Sequence, residues 1–494
     1  MRLSDLAKRI PGSRVVGAGD VDVARVVHDS RGVRRGDLYV ALVGTHVDGH
    51  EFVQPALEAG AVAAMVERTV RLPGNPPLVV VPDAREALAL AAHALAGDPT
   101  QRLTMVGITG TNGKTTTTYL VRSILEKAGH ATGLLGTVGY QIGERWIPSR
   151  MTTPDATDLS AYFAEMVEEG LEAAVMEVSS HALDQRRVAG IAFDVGAFTN
   201  LTPEHQDYHK DMPSYRQAKG RLFAGLSAEA WAVLNADDEA SPSFAEATPA
   251  RILWYGLDRP ADVRAEDLAT SLEGSRFTLL LPRGRAPVHT ALLGKHNVRN
   301  CLTAAAIAEA LAVPIEATLA GLEAVTTVRG RLEKVPTDRP FTVLVDYAHT
   351  ADALENALEA VRGLSPRRLI LVFGCGGDRD RKKRPEMARV AERLADRIVV
   401  TSDNPRSEDP RAIAEEIFKG FSSAGAATVE LDRRRAIELA IREAAEGDAV
   451  LIAGKGHETY QESREGVKPF DDREVAREIL CRAGGGSRRT RSPP

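Results

Sequence analysis

The stretch "LTMVGITGTNGKTTTTYLVRSILEKAG", from Leu103 to Gly129, decides the fold of this chain. Its first six residues have the apolar character of a buried strand. Apolar residues then recur at helical spacing between Leu120 and Leu125, and Gly129 is a typical helix stop. The stretch therefore predicts a strand, a glycine-rich loop and a helix, which is the setting of a phosphate-binding loop.

The loop departs from the common spacing G-x-x-x-x-G-K-[ST], because Ile108 stands where the first glycine is expected. Gly110 and Gly113 still allow backbone amides to turn toward phosphate oxygens, and the start of the helix adds its positive dipole. Lys114 could reach the β- and γ-phosphates, and the Thr115 hydroxyl could bind Mg²⁺. The alternative is a glycine-rich helix start that binds no ligand.

Composition limits the classes of protein to consider. A chain of 494 residues with 44% hydrophobic and 26% charged residues can bury several cores, since single cores rarely exceed about 300 residues. The formal net charge of -6 argues against a global basic field that would attract nucleic acid or anionic lipid. No apolar run resembles a signal peptide or a membrane span, and the three cysteines are widely separated. We therefore expect a soluble, cytoplasmic protein, without nucleic acid and without membrane insertion, in which any small anion is held by a local site.

Three α/β blocks follow one another along the chain. Residues 1–100 predict a small N-terminal α/β domain, and residues 101–330 alternate strand, glycine turn and helix, as in a central P-loop-type parallel sheet. Residues 331–483 contain "FTVLVDYAHT", "RLILVFGCGGD" and "DAVLIAGKGHE", which predict buried parallel strands of a Rossmann-like C-terminal domain. Ligands are expected at the carboxyl ends of such strands. The tail "GGGSRRTRSPP", residues 484–494, has little to bury and is expected to be disordered.

Polar side chains follow two of the central strands. Glu177 ends the apolar run in "AAVMEVSSH", where it could bind Mg²⁺ or be a structural carboxylate held by loop amides. His205 and His209 lie in "TNLTPEHQDYHKDM", after the next strand. They could bind metal or phosphate, although two histidines in a polar loop are also typical of a solvated surface.

Several motifs together resemble one family. "GTNGKTT", "EVSSH", "LTPEHQDYH", "YRQAKGRLF", "GKHNVRNCLTA" and "VDYAHTADALENAL" occur in the order seen in the Mur ligases, ATP-dependent amide-forming enzymes of peptidoglycan precursor synthesis. The resemblance covers nearly the whole chain. It also accounts for the loop, because the Mur ligases have the shorter form G-T-N-G-K-[ST].

The segment "DNPRSEDP", from Asp403 to Pro410, is the most informative within this family. It resembles the signature of the members that add meso-diaminopimelate to UDP-N-acetylmuramoyl-L-alanyl-D-glutamate. Diaminopimelate has a second carboxylate where lysine has only an ammonium, and the planar fork of Arg406 suits a carboxylate. As an isolated tetrapeptide, "DNPR" could also be an ordinary strand-to-helix turn.

The resemblance implies roles for individual residues. ATP would be bound by Gly110, Thr111, Asn112, Gly113, Lys114, Thr115, Thr116, Asn297, Asn300, Arg331 and Asp346. The UDP-muramoyl dipeptide would be bound by Ser30, His46, Thr152, Thr153, Ser179, Gln185 and Arg187. Diaminopimelate would be bound by Arg379, Asp403, Asn404, Pro405, Arg406, Gly454 and Glu458. Catalysis would fall to Lys114, Glu177, His205 and Lys219, and Mg²⁺ to Thr115, Glu177, His205 and a carbamate formed on Lys219. The alternative for Lys219 is an ordinary surface lysine.

ATP and Mg²⁺ are thus the implied cofactors, and the implied reaction proceeds through an acyl phosphate. Because the ATP and amino-acid sites would lie on different domains, closure of the C-terminal domain is expected during turnover. Two departures from the family pattern, Ala351 in place of a proline and the basic run "GDRDRKKRP", concern loop shape. A sister ligase that adds L-lysine, a folate-type polyglutamate synthetase and a non-catalytic scaffold remain the alternative functions.

Overall fold

A computed structural model describes residues 1–44, 47–423 and 425–484 of the chain. It contains three α/β sheets that follow one another in sequence, together with a two-stranded hairpin. In the described ranges no helix combines the length and the apolar character needed to cross a membrane. His46 lies outside the described residues, as do residues 485–494 of the tail that is expected to be disordered.

The N-terminal sheet has five strands in the order β1-β5-β4-β3-β2, of which β2 to β5 are parallel and β1 is antiparallel. These strands are β1 (Arg14–Val16), β2 (Arg25–Val27), β3 (Asp37–Val40), β4 (Ala63–Val66) and β5 (Leu78–Val80). The helices of this block are α1 (Leu3–Lys8), α2 (Val53–Glu58) and α3 (Ala84–Leu95). Both faces of the sheet are covered, because β3 and β4 are buried at every position.

The central sheet has eleven strands in the order β16-β15-β14-β13-β12-β11-β6-β10-β7-β8-β9. They are β6 (Thr104–Thr109), β7 (Thr132–Leu135), β8 (Gly139–Ile142), β9 (Arg145–Pro148), β10 (Ala173–Glu177), β11 (Val195–Phe198), β12 (Trp231–Asn235), β13 (Arg251–Gly256), β14 (Val263–Ser271), β15 (Gly274–Leu281) and β16 (Gly284–Thr290). The helices are α4 (Lys114–Lys127), α5 (Ala156–Glu168), α6 (Ser180–Asp184), α7 (Gln206–His209), α8 (Met212–Ala224), α9 (Ser241–Ala247), α10 (Lys295–Ala310) and α11 (Ile315–Ala324). Strands β7, β10, β11, β12, β13 and β14 run parallel to β6, and antiparallel strands extend both edges of the sheet.

The C-terminal sheet has six strands in the order β17-β18-β22-β19-β20-β21, parallel except for β17. They are β17 (Glu333–Val335), β18 (Thr342–Asp346), β19 (Leu369–Phe373), β20 (Arg397–Val400), β21 (Thr428–Val429) and β22 (Ala449–Ala453). The hairpin is formed by β23 (Tyr460–Ser463) and β24 (Gly466–Pro469). The helices are α12 (Ala351–Arg362), α13 (Lys383–Leu394), α14 (Pro410–Phe418), α15 (Arg433–Glu443) and α16 (Asp472–Gly484).

The strand, loop and helix expected at Leu103–Gly129 are present as β6, the loop and α4, and Gly129 follows α4 with φ +92°. The expected parallel sheets are confirmed in the central and C-terminal blocks. The sequence did not reveal the antiparallel extensions β8–β9 and β14–β16. Their strands carry many polar residues and are partly exposed, so the apolar periodicity that marks buried strands is weak there.

The two larger sheets turn the carboxyl ends of their parallel strands toward each other. Asn112, in the loop after β6, donates from Nδ2 to Asp352 Oδ2 in the first turn of α12 at 2.5 Å. Thr202, after β11, donates to the same oxygen at 3.1 Å. The loops at these strand ends therefore face one another, as expected for ligand sites of open α/β sheets.

Candidate active site between the two larger sheets

The glycine loop has a backbone that only glycine accommodates. Gly110 has φ +145°, and a Cβ there would lie 1.8 Å from Thr199 Oγ1. Gly113 has φ +87°, and its added Cβ would lie 2.4 Å from Asn300 Oδ1. The loop is thus tightly enclosed by neighbouring side chains while its amides precede a helix, which is the arrangement of an anion cradle.

Lys114 begins α4 and folds back over the loop. Its Nζ donates to the carbonyl oxygens of Gly110 and Thr111 at 2.8 and 2.7 Å. Burial lowers the pKa of Lys114, although the carboxylates of Glu204 and Glu177 oppose that change. The ammonium therefore lies at the loop, within reach of any phosphate bound there.

Glu177 ends β10 inside a network of hydroxyl groups. Its Oε1 accepts from Thr115 Oγ1 at 2.9 Å and from the backbone amide of Thr137 at 2.8 Å, and its Oε2 accepts from Thr137 Oγ1 at 3.0 Å. Arg331, from the segment that precedes the C-terminal sheet, donates to Thr115 Oγ1 at 3.0 Å. The Glu177 carboxylate is therefore held by the amide of Thr137, as expected for a structural carboxylate. It also contacts Thr115, the residue of α4 that is expected to bind Mg²⁺.

Lys219 is buried, so the surface alternative is wrong. The side chain is on α8, is only 1% exposed, and donates from Nζ to Gly110 O at 2.7 Å. Nζ also lies 4.4 Å from the centre of the Tyr215 ring. Burial lowers the pKa of Lys219 well below its usual value, and the nearby Lys114 adds to this effect. The amine thus lies directly beneath the glycine loop.

Of the two histidines only His209 is buried, whereas the side chain of His205 is 41% exposed. His209 is 5% exposed and its Nε2 lies 2.9 Å from Ser180 Oγ. His205 has φ +55°, and its Nε2 lies 3.6 Å from Glu204 Oε2. Partial burial lowers the pKa of His205 despite the adjacent Glu204 carboxylate.

Glu204 is the centre of a charge cluster that links the two sheets. Burial would raise its pKa, but contacts with His349 and His205 and the charge of Lys114 hold the pKa of Glu204 below its usual range. His349 Nε2 lies 3.6 Å from Glu204 Oε1, and His349 Nδ1 lies 2.9 Å from the carbonyl oxygen of Tyr347. Since a carbonyl can only accept, Nδ1 carries a hydrogen and Nε2 faces the carboxylate.

A cavity of about 350 Å³, called here the loop cavity, adjoins the glycine loop. Its wall includes Asn112, Gly113, Thr115, Thr116, Asn297, Asn300, Arg331 and Asp346, all of which were expected to contact ATP. Asn300 Nδ2 donates to Asn297 Oδ1 at 2.9 Å, so these two side chains form one wall. Burial raises the pKa of Asp346, whose oxygens accept from the amides of Leu332 and Ala348.

A second cavity of about 970 Å³, called here the inter-sheet cleft, lies beside the loop cavity, and Asp352 lines both. From the central block it is lined by Thr137, Thr152, His181, Glu204 and His205, among others. From the C-terminal block it is lined by six of the seven residues expected to bind the amino acid, namely Arg379, Asp403, Asn404, Arg406, Gly454 and Glu458. The cleft therefore brings the loops after β7 and β11 and the D-N-P-R loop to one space.

The D-N-P-R loop is braced against the end of β22. Gly454 has φ +116°, and a Cβ there would lie 2.5 Å from Asp403 Oδ2. Asn404 donates from Nδ2 to Glu458 Oε2 at 2.8 Å. Lys455, which is fully buried, donates to Asn404 Oδ1 at 2.9 Å and to Glu458 Oε2 at 2.8 Å. Pro405 is buried behind the loop.

Two arginines point their charge at the cleft with different restraint. Arg406 has φ +50°, donates from Nη1 to Gly377 O at 2.8 Å, and pairs through Nε with Glu462 Oε2 at 3.2 Å. Arg379 is exposed and donates weakly to the carbonyl of Asp378 at 3.3 Å. Arg406 is therefore positioned in advance, whereas Arg379 is free to adjust to a ligand.

The residues expected to bind the UDP-muramoyl dipeptide are only partly brought together. Thr152 lines the inter-sheet cleft, and Thr153 Oγ1 donates to the carbonyl oxygen of Glu177 at 2.8 Å and accepts from the amide of Ser179 at 3.0 Å. Arg187 donates to Gln185 Oε1 at 2.7 Å. Ser30 begins a 3-10 turn in the N-terminal block and lines neither cavity.

Sequence reasoning missed several residues of the site. Thr137, Glu204, His349, Asp352 and Lys455 are brought into contact with predicted residues by the fold. Glu204 and His349 stand inside the quoted motifs "LTPEHQDYH" and "VDYAHTADALENAL", so their proximity to His205 and Asp346 in sequence was an available signal. Lys455 likewise stands in the quoted segment "DAVLIAGKGHE", beside Gly454, whereas Thr137 had no comparable signal.

The oxygen groups at the glycine loop fit a hard divalent cation. Thr115 and Glu177 place a hydroxyl and a carboxylate 2.9 Å apart, and Mg²⁺ prefers oxygen ligands with several retained waters. Within the described ranges, no group of three or more His, Cys, Asp and Glu side chains is arranged to hold a metal ion. A Mg²⁺ site here would therefore depend on the hydroxyl, on phosphate oxygens and on a modified Lys219, and the metal set stays a prediction.

Comparisons with known proteins agree with this arrangement. Three family models match, described as the Mur ligase family catalytic domain at residues 22–96, the Mur ligase middle domain at residues 108–308 and the Mur ligase glutamate ligase domain at residues 330–456. A UDP-N-acetylmuramoyl-L-alanyl-D-glutamate–2,6-diaminopimelate ligase from Geobacillus thermodenitrificans is 48% identical over 97% of this chain and 99% of its own length. A relative of the same name from Geobacter metallireducens is 46% identical over 96% of this chain and 97% of its own.

A solved structure of a protein with that name superposes with a TM-score of 0.69 at 33% identity, covering 93% of this chain and 95% of its own. The three matched segments span most of the sequence in the family's order, and both relatives extend over nearly the full length. The chain belongs to the Mur ligase family.

Proposed function

We propose that this protein is an ATP-dependent ligase that joins meso-2,6-diaminopimelate to UDP-N-acetylmuramoyl-L-alanyl-D-glutamate. The observation that carries the proposal is the inter-sheet cleft, which joins the loops after β7 and β11 to the D-N-P-R loop and borders the cavity beside the glycine loop. The names of the full-length relatives support the same substrates.

The three blocks divide the binding work. The N-terminal block, residues 1–100, holds the UDP end of the acceptor, the central block, residues 101–330, binds ATP, and the C-terminal block, residues 331–483, binds the amino acid. Ser30 belongs to the first of these blocks and lines neither cavity. The protein acts as a cytoplasmic monomer, where ATP and UDP-linked precursors are available.

The reaction needs activation of a carboxylate, because oxide is a poor leaving group. The γ-phosphoryl group of ATP passes to the γ-carboxylate of the D-glutamyl residue, giving an acyl phosphate and ADP. The amine of diaminopimelate then attacks the acyl carbon, phosphate leaves, and the amine loses a proton. Lys114, held over the glycine loop by two carbonyl oxygens, offsets the repulsion between the two anionic reactants.

Mg²⁺ would be held by Thr115, Glu177, His205 and a carbamate on Lys219, and it would supply positive charge beside the phosphates. The carbamate requires a neutral amine that adds CO₂ and releases a proton. Lys219 suits this modification because burial lowers its pKa. Its position beneath Gly110 puts the modified side chain next to the loop.

Selectivity for diaminopimelate is attributed to the D-N-P-R loop. Arg406 is fixed by Gly377 and Glu462, so its planar guanidinium is oriented before the amino acid arrives. Arg379, exposed at the rim of the cleft, adds a second cation for the other carboxylate. Holding both ends of the amino acid directs its amine toward the acyl phosphate.

The first test is phosphate release from ATP in the presence of UDP-N-acetylmuramoyl-L-Ala-D-Glu, with meso-diaminopimelate, with L-lysine and with no amino acid. Release only with diaminopimelate, together with a tripeptide product of the expected mass, is the expected result. Release with lysine instead would retain the reaction and overturn the substrate, and release with neither would favour a non-catalytic scaffold. Lys114→Met should abolish turnover, whereas Lys127→Met, at the far end of the same helix, should not.

Closure of the C-terminal block is a further part of the proposal. The contacts of Asn112 and Thr202 with Asp352 cross between the two blocks, so they form only when the blocks approach each other. Small-angle scattering should record a smaller radius of gyration when an ATP analogue and both substrates are present. An unchanged radius would refute closure without affecting the proposed reaction.

A further inference from the structure

Lys455 is a buried lysine directly behind the D-N-P-R loop. It follows β22, and its side chain is 0% exposed. Its Nζ donates to Asn404 Oδ1 at 2.9 Å and to Glu458 Oε2 at 2.8 Å. Asn404 and Glu458 line the inter-sheet cleft, whereas Lys455 is not among the described residues of its wall. Lys455 therefore acts on the cleft through its hydrogen bonds to these two neighbours, and its Nζ also lies 5.4 Å from the centre of the ring of Tyr460, which lines the cleft.

The hydrogen bonds of Asn404 fix which end of its amide faces the cleft. Oδ1 accepts from Lys455 and also from the backbone amide of Glu462 at 3.0 Å. An ammonium and a backbone N–H can only donate, and a carbonyl oxygen has two lone pairs. The carbonyl end of Asn404 is thus fully engaged, and the amide cannot turn without losing both bonds.

The hydrogen-bonding groups of Asn404 and Glu458 that have no partner among the described residues define what the cleft can recognise. Asn404 Nδ2 uses one hydrogen to reach Glu458 Oε2 at 2.8 Å, and its other hydrogen has no partner among the described residues. Glu458 Oε1 likewise accepts nothing from that part of the chain. One donor and one acceptor are therefore offered side by side. A carboxylate next to an ammonium, the headgroup of an amino acid, complements this pair.

We propose that Lys455 is a positioning residue that orients the Asn404 amide and so makes this part of the cleft selective for an amino-acid headgroup over an isolated ammonium. The inference rests on the proposed function, since it concerns the distal end of the diamino acid. Without Lys455, only the Glu462 amide and Glu458 would hold the Asn404 amide, so it could turn more easily to present its carbonyl, and Glu458 would lose its cation. Both changes favour an ammonium without a carboxylate, as at the end of L-lysine.

The test is Lys455→Met in the full-length protein, since methionine has a similar length and no donor. We expect the KM for meso-diaminopimelate to rise at least tenfold, while kcat and the Kd of an ATP analogue stay within twofold. The ratio of kcat/KM for diaminopimelate over L-lysine should fall at least tenfold. Lys419→Met, an exposed lysine after α14, is the matched control and should change none of these values. An unchanged KM in Lys455→Met would overturn the inference.

A double-mutant cycle with Asn404→Ala separates positioning from a general structural effect. The quantity compared is the change in log KM that Lys455→Met causes in two backgrounds. If Lys455 acts through Asn404, this change in the Asn404→Ala background should be less than half of the change in the unaltered protein. Full additivity would refute the inference, as would a parallel loss of kcat, ATP-analogue binding and thermal midpoint.

If Lys455→Met does not fold, a crystal structure of the unaltered protein with meso-diaminopimelate decides the matter. A ligand carboxylate oxygen within about 3 Å of Asn404 Nδ2 supports the inference, and a ligand ammonium in that place overturns it. Failure of the proposed function would be seen separately, as absence of phosphate release by the unaltered protein with diaminopimelate.

Discussion

Replacing Gly113 with alanine should weaken the binding of an ATP analogue about thirtyfold. Gly113 has φ +87°, where an alanine costs about 1 kcal/mol. The new Cβ would lie 2.4 Å from Asn300 Oδ1, so Asn300 must leave its hydrogen bond with Asn297, which costs about another 1 kcal/mol. The strained loop can relieve about 2 kcal/mol by leaving its binding geometry.

That relief lowers the fraction of protein with a competent loop, and the observed affinity falls by the same factor. About 1.4 kcal/mol corresponds to a tenfold change, so about 2 kcal/mol gives roughly thirtyfold. Isothermal titration calorimetry with a non-hydrolysable ATP analogue measures this change in affinity directly.

Gly129→Ala is the matched control for this experiment. Gly129 follows the same helix, has φ +92°, and has no neighbouring atom within 4 Å of an added Cβ. It should bear the same backbone cost, lowering stability by about 1 kcal/mol, without changing the affinity for the nucleotide. Equal affinities of Gly113→Ala and the unaltered protein, within twofold, would refute the reasoning about the loop.

Three further substitutions test other parts of the site and fold. Arg406→Lys should raise the KM for diaminopimelate about tenfold and spare ATP-analogue binding, because a point charge replaces a planar fork. The control Arg464→Lys, at an exposed position, should not raise this KM. Equal kinetics of Arg406→Lys and the unaltered protein would remove Arg406 from the selectivity argument. Glu177→Gln should raise the Mg²⁺ concentration for half-maximal turnover at least tenfold. The thermal midpoint should change little, since Oε1 keeps its bond to Thr115. An unchanged Mg²⁺ requirement would exclude metal binding by Glu177. Burial lowers the pKa of His93 to about 4 in the folded state. As the pH falls below about 6.5, the unfolded state therefore binds a proton at His93 before the folded state does. This difference should lower the free energy of unfolding by about 2 kcal/mol between about pH 7.5 and pH 5. His93→Leu should flatten that loss in urea titrations, and parallel pH profiles would contradict the assignment.

The local elements of the site were predictable from short-range pattern. Apolar spacing between Leu120 and Leu125, with glycines on either side, was sufficient to place β6, the loop and α4. The ends of β10 and β20 were equally clear, because buried apolar strands stop at polar loops. Eight of the eleven residues expected to bind ATP and six of the seven expected to bind the amino acid line two adjoining cavities, although their individual roles remain predictions.

Burial was not predictable in the same way. Lys219 sits in a helix of low amphipathic contrast, and nothing in its neighbours indicates that α8 packs beneath Gly110. Glu204 and His349 are far apart in sequence, and each has an ordinary appearance in a polar loop. The lowered pKa of Glu204 arises in part from its contact with His349, which only the fold brings near.

The sequence by itself determined the buried parallel strands, the glycine turns and helices that follow them, and the types of chemical group at the strand ends, because these depend on residues within about one turn or one strand of each other. The tertiary structure alone decided which of those groups meet. Asn112 and Asp352 are 240 positions apart, and Lys455 and Asn404 are 51 apart, so their contacts depend on how two sheets are ordered and how they face each other. Long-range packing sets those distances, and with them the burial that shifts the pKa of Lys219 and fixes the amide of Asn404.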